Sequence, residues 1–138
     1  MKNTRSVARR FAIVVVFSGL IAAGLAQEAP PKEPFKAEHL LNLKSEADVA
    51  AMLRGIADQN AVVEKMGIRD TKYRLYKVFG KQNGSYTYLM ESSWSGAEAY
   101  DKVHKSAEWQ AISKNHPELE GLMKDEVYNR YVEARPAK

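Results

Sequence analysis

The chain has 138 residues and no cysteine, which excludes a disulfide framework, a thiolate-bound metal and a lipid-modified cysteine. Its formal charge of +4, from 21 Lys and Arg against 17 Asp and Glu, belongs to one end: Lys2, Arg5, Arg9 and Arg10 precede Ala26, and every acid follows it. The remainder is formally neutral, so the charge gives no reason to expect a nucleic-acid or anionic-membrane surface.

Residues 11–25 are uncharged and mostly apolar, and Gly24-Leu25-Ala26 sets small residues three and one before a cut after Ala26. Basic head, apolar run and small-residue exit are the order of a secretory signal peptide. The expectation is a signal peptide over residues 1–26 and a periplasmic or secreted domain after cleavage. An uncleaved membrane anchor is the alternative, although the run is shorter than the roughly 20 residues that span a bilayer. Residues 27–34 hold Pro30, Pro31 and Pro34 beside charges and read as an extended spacer with no further role.

A single domain is expected over residues 35–135, followed by a tail at 136–138. Residues 35–44 alternate His39, Leu41 and Leu43 against Leu40 and Asn42, the period of a short strand, with a helical reading open. Ser45 and Asp48 resemble a capping box, and apolar residues recur at helical spacing to Met66 before Gly67, a left-handed cap. Residues 71–79 and 85–94 are rich in β-branched and aromatic side chains and flank Asn83-Gly84, which predicts a β-hairpin. Ser95 and Glu98 read as a second capping box opening a helix at Gly96 or Ala97, with Tyr100, Val103 and Ala107 toward the core. A break is expected near Ser106, since Trp109 and Ile112 follow on another phase. Pro117 opens a third short helical segment, and residues 126–134 form a closing strand.

The order strand, helix, strand, strand, helix, strand predicts an α+β domain of the ferredoxin-like βαββαβ kind: a four-stranded antiparallel sheet with helices on one face. Tyr86, Tyr88 and Met90 occupy one phase of the hairpin and Leu75, Phe79 and Leu89 the other. Both sheet faces are therefore expected to be covered, the second by another copy of the chain in a homodimer.

The segment Tyr88-Leu89-Met90-Glu91-Ser92-Ser93-Trp94-Ser95-Gly96-Ala97-Glu98-Ala99-Tyr100, followed by His104-Lys105-Ser106-Ala107-Glu108-Trp109, resembles the dimeric α/β-barrel domains, especially the antibiotic-biosynthesis-monooxygenase-like group. In that group a strand commonly ends in Trp, a capped helix follows, and a His precedes a Ser. The resemblance implies a homodimer and, in some members, cofactor-independent oxygenation of phenolic or quinol substrates. Haem-degrading members carry an Asn on the first strand, a helical Trp and a later His. Asn42 fits the first, but Val103 stands near the Trp position, and Ser113 near the His position with His116 the nearest histidine. Haem degradation is not expected, and no cofactor is implied.

His104 lies one position from the apolar face of its helix, where it would point between helix and sheet and move a proton near neutral pH. A histidine closing the edge of the core is the plainer reading. His39 shares a strand face with Leu41 and would line the same cavity or face solvent. Asn42, Trp94, Tyr88 and Tyr100 complete the expected lining. The wider group of Tyr73, Tyr76, Tyr86, Tyr88, Trp94 and Tyr100 suits a flat ligand, and cross-strand packing explains it equally well. Arg74 and Arg130 are candidates for a carboxylate, or for pairing with Glu91 or Glu133. No nucleophile triad, phosphate loop or nucleotide fingerprint is present, and three scattered histidines make no metal site. Three function classes remain: a cofactor-free oxygenase or isomerase-like relative using His104 as acid or base, a dimeric binding or stress-related module that holds a small apolar or aromatic molecule without turnover, and a structural dimer whose partner is another envelope protein. The membrane enters only through an uncleaved signal segment.

Overall fold

The computed structural model describes residues 28–80 and 84–136; the expected signal peptide lies outside them. Alternate residues Phe35, Ala37 and Leu41 are buried along β1, Phe35–Leu41, as a strand with one covered face requires. α1, Glu46–Lys65, begins at the expected capping box: the Ser45 hydroxyl accepts from the Asp48 backbone N–H, and the Asp48 carboxylate accepts from the Ser45 N–H. It buries Met52, Ile56, Val62 and Val63, one apolar stripe laid on the sheet. Gly67 follows its end with φ 73°.

The hairpin is β2, Arg74–Lys77, and β3, Tyr88–Trp94. Leu75 pairs with Met90, so these two share the helix-facing side. That corrects the expected grouping of Leu75 with Leu89. Partners across an antiparallel ladder share a face whatever their parity, and here odd-numbered residues of β2 meet even-numbered ones of β3.

Two helices follow β3, α2 at Ala97–His104 and α3 at Ala107–Asn115. The break falls where expected, because the Ser106 hydroxyl accepts from the Trp109 N–H and caps α3. The expected Ser95 cap on α2 does not form. Gly96 is the N-cap residue instead and supplies no side-chain bond. Its φ of 150° suits glycine, and a Cβ there would stand 2.3 Å from the Lys32 carbonyl oxygen. α4, Glu118–Met123, follows Pro117, and β4, Val127–Val132, closes the chain.

Strand order is β2-β3-β1-β4, antiparallel throughout. The described helices lie on one face. The α1 to α4 contact is close: a Cβ on Gly55 would stand 2.5 Å from Leu119 Cδ1. No helix among the described residues is long and apolar enough to cross a membrane.

Candidate functional site

Across the ladder Ala37 faces Ser92 and Arg130, while His39 faces Met90 and Tyr128. Strand alternation therefore aims His39, Tyr128 and Arg130 at the helices, where α2 lies over them. His104 is the last residue of α2, and its ring stacks on Tyr100 one turn earlier, with centroids 3.7 Å apart. Trp109 of α3 closes on the same ring at 4.3 Å and Trp94 of β3 at 5.2 Å.

Both imidazole nitrogens are engaged. Nδ1 lies 2.8 Å from the Tyr100 carbonyl oxygen, which only accepts, so Nδ1 carries the proton. Nε2 then accepts from the Tyr73 hydroxyl at 3.2 Å. Tyr73 is held by Asn60 of α1, whose amide donates to the Tyr73 carbonyl at 3.0 Å and accepts from its N–H at 2.7 Å. Trp94 donates to the Ser92 hydroxyl at 2.9 Å.

Burial lowers the His104 pKa to about 4; the Tyr100 carbonyl opposes that shift, and the charges of His39 and Arg130 add to it. The ring is therefore a neutral base at ordinary pH. Burial likewise raises the Tyr73 hydroxyl well above its usual range, so that group stays a protonated donor.

The seam continues toward β4. The Arg130 guanidinium lies 5.1 Å from the ring centroids of both Tyr100 and Tyr128, within cation–π range. Its Nε donates to the Tyr128 hydroxyl at 2.8 Å. Burial works against the Arg130 charge, and hydrogen bonds to Tyr100 and Tyr128 outweigh it, raising its pKa. Burial also raises Tyr128. His39 packs on Tyr128 with centroids 4.4 Å apart and bonds through Nδ1 to Glu126.

Trp94 and Tyr73 are buried, at 3% and 4% exposure. His39, Tyr100, His104, Trp109, Tyr128 and Arg130 are all half-buried, although they sit on the covered side of the sheet. The line between α2, α3 and β4 is thus an aromatic seam reached from outside. An open cavity of about 310 Å³ lies beside the start of α2, lined by Lys32, Ile68, Ser95, Gly96, Ala99 and Lys102.

Of the residues singled out in the sequence, His104, Trp94, Tyr100 and His39 come together in this seam. Tyr88 does not: it faces Leu41 at the opposite end of β3 from Trp94. Asn42 stands one residue past the end of β1 and is exposed, because β1 stops before it. Arg74 faces Glu91 across the ladder, while the Glu91 carboxylate meets Lys36 and the Tyr76 hydroxyl. Arg130 turns to the tyrosines rather than to Glu133. Tyr128, Trp109 and Glu126 are additions. Period-two alternation in β4 carries a signal for Tyr128 beside Arg130; nothing local marks Glu126, which reaches His39 from far along the chain. Among the described residues no group of three His, Asp or Glu is arranged to hold a metal ion.

The chain has a ferredoxin-like α+β fold, shared with solved structures of low sequence identity. A DABB-family protein with a ferredoxin-like fold from Mesorhizobium loti is 12% identical, with a TM-score of 0.54 over 74% of this chain and 98% of its own. A hydroxynitrile lyase from Passiflora edulis is 14% identical, with a TM-score of 0.55 over 78% of this chain and 100% of its own. A dimeric ferredoxin-like protein of unknown function from Jannaschia sp. is 10% identical, with a TM-score of 0.55 over 72% and 98%. No protein-family model matches the sequence, and no curated protein matches it.

Proposed function

We propose that this is an exported, homodimeric small-molecule protein whose aromatic seam takes a phenolic or quinol-type compound and acts on it without a cofactor. The observation that carries the reading is His104: a neutral imidazole, oriented through Nδ1 and walled by aromatic rings, in a seam that is only half-closed. Such a ring is free of protons at Nε2 at ordinary pH, but with a pKa of about 4 it is a weak base, so it takes the hydroxyl proton of a bound phenol only as Arg130 stabilises the phenolate that forms. Flat rings suit Trp109 and Tyr100 as stacking partners, and Arg130 lies close enough to offset the charge of the phenolate.

The phenolate is electron-rich and reduces dioxygen itself: dioxygen adds at a ring C–H carbon, the C–H and O–O bonds break, one oxygen stays there as a carbonyl, and the other leaves as water with the ring hydrogen and the hydroxyl proton held by His104. The antibiotic-biosynthesis-monooxygenase-like pattern at Trp94 to His104 supports this chemistry. So does the existence of a small-molecule enzyme, the Passiflora edulis hydroxynitrile lyase, on the same fold. Oxygen uptake with phenolic and quinol substrates tests it. His104→Ala should abolish uptake, and unchanged uptake in that variant would falsify the role of His104.

A second reading, binding without turnover, has one observation in its favour. His104 Nε2 already accepts from Tyr73, so a substrate must displace that hydroxyl to reach it. Native mass spectrometry of protein taken from its own compartment separates the two, since an unaltered retained ligand favours binding.

The homodimer rests on the open sheet face. Tyr76 at 42% and Tyr131 at 48% exposure stand there beside half-buried Leu40 and Leu89, an apolar strip next to the charged Lys36, Glu38, Arg74 and Glu91 that no described helix covers. The Jannaschia protein is described as dimeric.

A further inference from the structure

Residues 28–34 form neither helix nor strand, yet they are fastened to the domain at two points. Near Pro34, the Lys32 carbonyl abuts Gly96, which is buried; only a residue without Cβ lets the two backbones approach so closely. At the other end, the Glu28 carbonyl accepts from Arg130 Nη1. Pro30 and Pro31, between these points, are half-buried. Gly96 opens α2 and Arg130 lies on β4, so the segment runs from one wall of the seam to the other. Its prolines leave it little conformational freedom to lose when it docks.

We propose that residues 28–34 are a strap that closes the outer end of the aromatic seam and holds Arg130 in place, so that a small aromatic molecule enters when the strap lifts. This rests on reading the seam as a small-molecule site. Arg130 links the two: its Nη1 is bonded to the strap, while its Nε is bonded to Tyr128 and its plane lies over Tyr100. Lifting the strap frees one side of the guanidinium, and the cation then turns toward an incoming anion or phenolate. Because the strap bonds through a main-chain carbonyl, stiffness matters at this end and the Glu28 side chain does not.

Two full-chain variants test this. One carries Pro30→Gly, Pro31→Gly and Pro34→Gly, loosening the strap without touching the seam. The other is Gly96→Ala, whose Cβ would meet the Lys32 carbonyl oxygen at 2.3 Å. The chain has 2 tryptophans, and both, Trp94 and Trp109, stand in the seam, so intrinsic fluorescence reports on it directly. Acrylamide quenching should rise about twofold or more in both variants with far-ultraviolet circular dichroism unchanged. 4-Nitrophenol should bind and leave several times faster than in the parent chain.

Quenching equal to the parent in the folded triple variant overturns the strap, and that variant decides the matter if Gly96→Ala does not fold. Altered quenching with no 4-nitrophenol binding by any form upholds the strap as a cover and overturns the ligand site beneath it.

Discussion

His104 makes stability depend on acid in a direction set by its burial. Its pKa is about 4 in the folded chain against an ordinary 6.5. Between those values the unfolded chain takes up a proton that the folded chain refuses. Stability from this residue is therefore complete above pH 6.5 and is lost as pH falls toward 4, by about 3 kcal/mol. Urea titrations at a series of pH values should show this slope in the parent, and His104→Phe should flatten it. A parent and variant with the same slope would mean that His104 is not buried as a neutral ring. The residue was visible in the sequence as a lone histidine beside an apolar helix face. Trp94 and Tyr100 were legible as its lining, but the bond from the Tyr73 hydroxyl and the Trp109 ring over it were not, because Tyr73 stands ahead of β2 and Trp109 on α3, and only the tertiary fold brings them to it.

At the scale of elements, the helices and strands were legible wherever a local pattern carries its own physics. Ser45 with Asp48, Gly67, Ser106 and Pro117 mark boundaries that hydrogen-bond geometry and backbone sterics enforce locally. Ser95 with Glu98 has the same local signature, yet no cap forms on Ser95. The deciding contact there is Lys32 against Gly96, more than sixty positions apart in the chain, which no local pattern encodes. Asn60 is a related case: it sits among apolar helical positions, and its side chain serves the backbone of Tyr73 ahead of β2. Asn60→Ala leaves a buried N–H and a buried carbonyl without that partner, and should cost about 2 to 3 kcal/mol in chemical denaturation. A loss below about 0.5 kcal/mol would show that water replaces the amide at both groups.

For the whole molecule, the open sheet face sets the prediction. Sedimentation at micromolar concentration should give a dimer, and a paired change of Leu40→Glu with Tyr131→Glu should give a monomer, because like charges would be buried at the interface. A parent chain that sediments as a monomer removes the dimer from the proposed function. The apolar character of this face was legible from alternation in the hairpin, although the register reassigned Leu75 to the helix side.

The position of β1 in the sheet has a consequence for how the chain acquires its structure. β1 is one of the two inner strands and precedes the other described strands in sequence, while its neighbours β3 and β4 come more than forty residues later. Its ladder with β4 pairs Phe35 with Val132, so the sheet is complete only once β4 is available. Contacts of such long range make folding slow and cooperative. During synthesis β1 waits without a partner until β3 has been made. A chain held open in that way can still be threaded through a narrow channel, which is what the export proposed above would require of it.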